Sequence, residues 1–134
     1  YVNPGAAFAV GAVAGVLVVA AVLFIEETLK VDDPVGAVAV HAVSGTWGVI
    51  ALGLFADGTY GVGLNGIGGG VRGLLYGDAS QFAAQLLGAV TCWVFGLAVF
   101  SAFFMAVELL IGNRVPAESE IEGLDMPEMG AMGY

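Results

Sequence analysis

The stretch PVGAVAVHAVSGTWGVIALGLFA, Pro34 to Ala56, decides what kind of molecule this is. It holds no Asp, Glu, Lys or Arg, and it is long enough to cross the ~30 Å hydrocarbon core of a bilayer at ~1.5 Å rise per residue. A helix buried in a soluble core is shorter and carries a polar face, whereas the only titratable side chain here is His41. Two more uncharged stretches flank it. One runs from Tyr1 to Ile25, with helical density from near Ala6, and the other from Ala79 to Val107. Three transmembrane helices are therefore expected, at about 6–26, 34–56 and 80–111, giving an all-α polytopic membrane protein with its membrane region over 1–111.

Composition agrees. The 134 residues are 59% hydrophobic and only 11% charged, against roughly a quarter charged in soluble domains, and the mean hydropathy is +0.94. So few charges cannot supply a polar surface for a water-soluble enzyme or a disordered regulator. Lys30, Arg72 and Arg114 are the three basic residues, too few to neutralise a phosphate backbone, so no nucleic-acid partner is expected. With one cysteine, Cys92, and one histidine, neither a disulfide framework nor a multi-cysteine or His-rich metal cage is expected, and no cofactor. The net charge of −9 is largely a property of the C-terminal segment, where five of the twelve acids lie between Glu118 and Glu128. Residues 112–134 read as an acidic, solvent-exposed tail. The sequence begins at Tyr1 without a basic n-region, which is not the pattern of a signal peptide and suggests a piece of a longer chain.

The connections are polar. EETLKVDD, Glu26 to Asp33, carries five charges and belongs at an aqueous face. Pro34 suits the first turn of the second helix, with Asp32 and Asp33 at its positive dipole end. Residues 57–79 form a glycine-rich loop; Asp57 to Ser80 contains nine glycines. Its Gly61-x-Gly63-x-x-Gly66 matches a dinucleotide fingerprint only formally, because no strand precedes it and it links two spans. Lys30 and Arg114 fall on one side of a three-span chain and Arg72 on the other, so the positive-inside rule places the N-terminus outside and the tail in the cytoplasm.

His41 is the residue most able to carry chemistry. Counted along a continuous helix from Asp33, it lies about 12 Å into the membrane, near the midplane. A histidine there is costly unless it meets a partner, a cavity or a pathway. Its neighbours at helical spacing are Ala37, Ser44, Gly45 and Gly48, a face of small residues that lets another helix or a narrow conduit come close. A neutral imidazole has one donor and one acceptor and titrates near neutral pH, which suits proton relay or hydrogen bonding to a small polar solute. The alternative is a histidine that only bonds a neighbouring helix. No carboxylate lies within helical reach to orient His41 and Ser44 as base and nucleophile, so hydrolytic catalysis is not expected. The Gly11/Gly15 pair and the Ala84, Gly88, Cys92, Gly96 stripe read as helix-packing surfaces. Trp93, Phe95, Phe100, Phe103 and Phe104 read as facing lipid or other helices, and Glu108 as interfacial.

At these residues the chain resembles the ammonium transporter (Amt/Rh) family. VDDPVGAVAVHAVSGTWGVIALGLFADG, Val31 to Gly58, is similar to the family's penultimate helix and the loop before it. NPGAAFAVGAVAG, Asn3 to Gly15, is similar to the preceding helix, and NRVPAESEIEGLD, Asn113 to Asp125, to the cytoplasmic C-terminal signature. The resemblance implies the last three helices and tail of an eleven-helix ammonium transporter fold in the plasma or inner membrane, assembled as a homotrimer with one pore per subunit. His41 then matches the second member of the twin-histidine pair lining a narrow apolar pore for ammonium or ammonia, with Ala37, Ser44 and Gly45 beside it. The tail residues Arg114, Glu118, Glu120, Gly123, Leu124 and Asp125 match the regulatory signature, in some members a contact for a PII-type signal protein. Two features depart from the family. Ala42 follows His41 where the family often has glycine. The first twin histidine, the phenylalanine gate and the outer aromatic are not in this chain, so the complete pore requires residues outside it. An ammonium sensor signalling through the tail is the alternative, and a purely structural membrane module a third reading.

Overall fold

Asn3 and Pro4 start the first helix. The Asn3 side-chain oxygen accepts the Ala6 N–H at 2.9 Å, and Pro4, whose backbone is preset for helix, fills the first turn without leaving an unpaired N–H. In the computed structural model, which describes residues 1–62 and 66–132, this helix, α1, runs Pro4–Leu23 and widens into a π turn, Phe24–Thr28. The second span opens as another π segment, Val38–Val43, and continues as α2, Ser44–Phe55. The third, α3, runs Ala79–Ile111. Among the described residues three helices are thus long and apolar enough to cross a membrane, Pro4–Thr28, Val38–Phe55 and Ala79–Ile111. Among the described residues there is no strand beyond an isolated antiparallel bridge between Asp57 and Arg72. The protein is an all-α, polytopic helical membrane protein.

The second span does not begin at Pro34. Pro34 and Val35 form a turn, and Gly36, at φ +64°, reverses the chain with its N–H on the Asp33 carbonyl at 2.8 Å. A β-carbon at Gly36 would stand 3.4 Å from Val22 as well as straining that left-handed backbone. The Asp33 carboxylate then reaches forward and accepts the N–H groups of Val38 (3.0 and 3.2 Å) and Ala39 (3.3 Å). Those are donors that a helix start leaves without partners, and Asp33, 5% exposed, supplies the acceptor where water does not reach. His41 therefore lies three residues, about 4.5 Å, beyond the start of the helix rather than eight residues along a continuous one.

The chain forms two compact units, Tyr1–Trp93 and Val94–Tyr134. In the first, Ala21, Ile25 and Ala39 make a small buried cluster flanked by Val18, Val22 and Val43. Gly53 gives α2 its close approach to α3: a β-carbon there would meet Phe82 Cα at 3.1 Å. The Trp47 indole donates to the Val10 carbonyl of α1 at 3.0 Å. By contrast, β-carbons built at Gly11, Gly15, Gly88 and Gly96 meet nothing described within 4 Å. Asp57 anchors the loop end, accepting from Asn3 Nδ2 (3.2 Å) and Thr59 N–H (2.9 Å). Thr59's N–H is the main reason its carboxyl titrates below the ordinary 3.8. Of the Gly61-x-Gly63-x-x-Gly66 pattern, Gly63 lies outside the described residues. Asp78 starts α3 by accepting from the Ser80 hydroxyl and N–H and the Gln81 N–H.

In the second unit α3 ends where Gly112 turns at φ +70°. At 33 residues the whole helix is about 50 Å long, well beyond the ~30 Å apolar core. A six-residue helix, α4, Ala117–Glu122, follows, then a π turn at Asp125–Met129.

Candidate functional site: the His41 turn

His41 projects from the π segment of the second span. Ala37, His41 and Gly45 are exposed on the chain's surface, while Ser44 is half-buried. The residues at 37, 41 and 45 are four apart, close to one turn in either helical form, so the structure does gather them on one open side. Among the described residues no group hydrogen-bonds the His41 ring. A β-carbon at Gly45 or Gly48 meets nothing described within 4 Å, leaving that side without bulk. The arrangement offers one imidazole, free to donate and accept, on a surface otherwise built of small apolar groups.

The π segment has a local cause. Ser44 shares its backbone N–H between the carbonyls of Ala39 and His41, five and three residues back. Its hydroxyl also donates to the Ala39 carbonyl at 3.2 Å. The Ser44 side chain thus reinforces the wide register by turning inward onto its own helix; its lone pairs are what it can offer outward. Two residues on, the Thr46 hydroxyl donates to the Ala42 carbonyl at 2.6 Å, and Trp93 Nε1 of α3 donates to Thr46 Oγ1 at 2.7 Å. Sequence reasoning passed over Thr46. The signal that could have found it is chemical: a tryptophan N–H well inside a span must have an acceptor. Further along the second span, within the same unit, a groove of about 340 Å³ lies between α1 and α2, with Ala7, Val10, Gly11, Gly48, Ala51 and Leu52 in its apolar wall. His41 is not part of that wall.

The tail residues form a separate group. Arg114 grips Glu120 with both ends of its fork, Nε to Oε1 at 2.7 Å and Nη2 to Oε2 at 2.9 Å. Glu108 accepts the Asn113 N–H at 2.8 Å, so this acid closes the end of α3. Gly123, at φ +94° and ψ 153°, occupies a backbone region open essentially to glycine alone and ends α4. Glu118 and Leu124 are exposed and Asp125 is half-buried. Hydrogen bonding from Arg114 holds the Glu120 carboxyl below its ordinary 4.5. A lowered folded-state value means the pair contributes in full above 4.5 and is lost as pH falls through that lower value. Carbon-13 NMR of the Glu120 carboxyl should therefore show a midpoint below 4.5, returning to the ordinary value in Arg114→Gln. An unshifted midpoint in the unsubstituted protein would mean that the clasp does not form in solution.

The model of the Ammonium Transporter Family matches residues 1–134. The chain belongs to that family. It is 40% identical over 136 residues to ammonium transporter Amt2 of Archaeoglobus fulgidus, covering 100% of this chain and 28% of the relative. It is 32% identical over 134 residues to an ammonium transporter of Bacillus subtilis (100% of this chain, 32% of the relative). An ammonium transporter of Mycobacterium tuberculosis H37Rv is 36% identical over 134 residues (99% and 28%). The chain thus spans about a third of the length of these family members, and the His41 turn, Asp33 and the Arg114–Glu120 clasp all lie inside the matched region.

Proposed function

We propose that the full-length protein containing this chain moves ammonium or ammonia across a cell membrane, with His41 lining the path. The observation that carries the reading is an imidazole without a described partner, exposed on a small-residue face of a membrane span, in a chain matched by the family over its whole length. A bare cation is costly in hydrocarbon, whereas ammonia passing beside hydrogen-bonding imidazoles, with its proton relayed, avoids most of that cost. On this reading His41 is the second of a histidine pair, and the chain supplies the last three of eleven helices of a homotrimer's subunit. Ala37 and Gly45 keep the conduit narrow and apolar beside it, and Ser44 sets the turn. The tail lies in the cytoplasm. There Arg114, Glu118, Glu120, Gly123, Leu124 and Asp125 form a regulatory surface suited to a PII-type partner.

The test is methylammonium uptake by proteoliposomes holding the full-length protein, with and without the segment Asn113 to Tyr134. Saturable uptake above protein-free vesicles is expected, and tail removal should alter flux or its regulation while the membrane fold persists. A well-assembled protein that takes up nothing would turn the reading toward an ammonium sensor. Uptake identical in both forms, in proteoliposomes and in cells grown at high and low ammonium, would remove the regulatory role from the tail.

A further inference from the structure

The geometry points to Thr46 and Trp93 as positioning residues for His41, acting through the carbonyl of Ala42. The inference takes its functional weight from the reading that His41 lines the path, but its structural basis is separate. An indole N–H can only donate, so Trp93 fixes Thr46 Oγ1 as its acceptor at 2.7 Å. The hydroxyl has one proton left to place, and it goes to the Ala42 carbonyl at 2.6 Å. Both bonds run in one direction, from the third span into the Ala42–Val43 peptide unit, one residue beyond His41.

That peptide unit sits where the wide turn gives way to α-helix. Ser44's N–H is divided between two carbonyls there, so backbone pairing alone leaves the register weakly determined. Ser44 and Thr46 secure the carbonyls of Ala39 and Ala42, on either side of His41. Only Thr46 is in turn held by another helix. A π turn accommodates one residue more than an α turn, so its relaxation would shift the face of the preceding residues by about 100°. For His41 that separates pointing along the small-residue face from pointing away from it. Thr46 and Trp93 touch no substrate in this scheme; they determine where the imidazole points.

The experiment uses the full-length protein in bilayers, with His41 ring nitrogen-15 resonances assigned by difference from His41→Gln. Thr46→Val keeps shape and removes the hydroxyl, Thr46→Ser keeps the hydroxyl, and Trp93→Phe removes the donor. The His41 resonances are expected to move in Thr46→Val and Trp93→Phe and to stay at the wild-type position in Thr46→Ser. Maximal methylammonium uptake should fall about tenfold in the first two, as misplacement of a working group does, with oligomer size unchanged. Resonances unmoved in both Thr46→Val and Trp93→Phe would overturn the proposal, as would an equal shift in Thr46→Ser. The pathway reading fails on a different result, a His41→Ala protein that transports like the wild type, and the resonances then still decide whether Thr46 and Trp93 orient the ring.

Discussion

Asp33→Ala is expected to destabilise the membrane fold more than any other single change to this chain's polar residues. The carboxylate is buried and accepts the N–H groups of Val38 and Ala39. Alanine would leave both donors without a partner at a helix start packed against the Ala21–Ile25–Ala39 cluster. Each stranded donor costs about 1–3 kcal/mol and the charge-assisted bonds are at the strong end of that range, so a loss on the order of 3–5 kcal/mol follows. Asp33→Asn keeps one acceptor oxygen and should lose about 1 kcal/mol. Unfolding of the full-length protein in mixed micelles of increasing SDS content measures both. An alanine variant as stable as wild type would mean that water or another chain segment serves those donors instead.

His41→Ala should leave stability near wild type and reduce methylammonium uptake by about a hundredfold or more, the scale of losing a positioned proton-transfer group. The asymmetry follows from the structure: the ring makes no described hydrogen bond and is exposed, so little packing is lost with it. Uptake kinetics and gel filtration on the same preparation separate the two effects. Undiminished transport would make His41 a packing residue for helices outside this chain. A collapse of assembly with the mutation would have the same meaning.

The two variants mark what the sequence disclosed and what it hid. The three spans were legible because charge is absent from their long central stretches and concentrated at and beyond their ends, which is a matter of composition. The start of the second span was not. Pro34 is a good first residue of a helix, but the left-handed Gly36 places the reversal after it, and a glycine's sign of φ is not written in its neighbours. The resulting shift of the helix start from 34 to 38 also shortened the distance by which His41 enters its helix. His41 itself stood out as the one polar ring in an uncharged span. Ser44 and Thr46 differ from each other in ways no spacing rule reveals, since one bonds five residues back and the other four. Trp93 finds its acceptor 47 residues away, through helix packing. In the tail, Arg114 and Glu120 are six apart and straddle Pro116, so neither the i+3 nor the i+4 pairing of a helix anticipates them.

The Asp33 arrangement also bears on how such a segment enters a membrane. A buried carboxylate is costly without hydrogen-bond donors, and the Val38 and Ala39 amides converge on Asp33 only once that helix has begun. The shielding comes from the beginning of that helix packed beside the end of the first, where Ile25 and Ala21 lie against Ala39. Neither span holds all the parts. The helical hairpin from Pro4 to Phe55, rather than its individual helices, is thus the smallest piece that can be handed to lipid with its buried charge already satisfied.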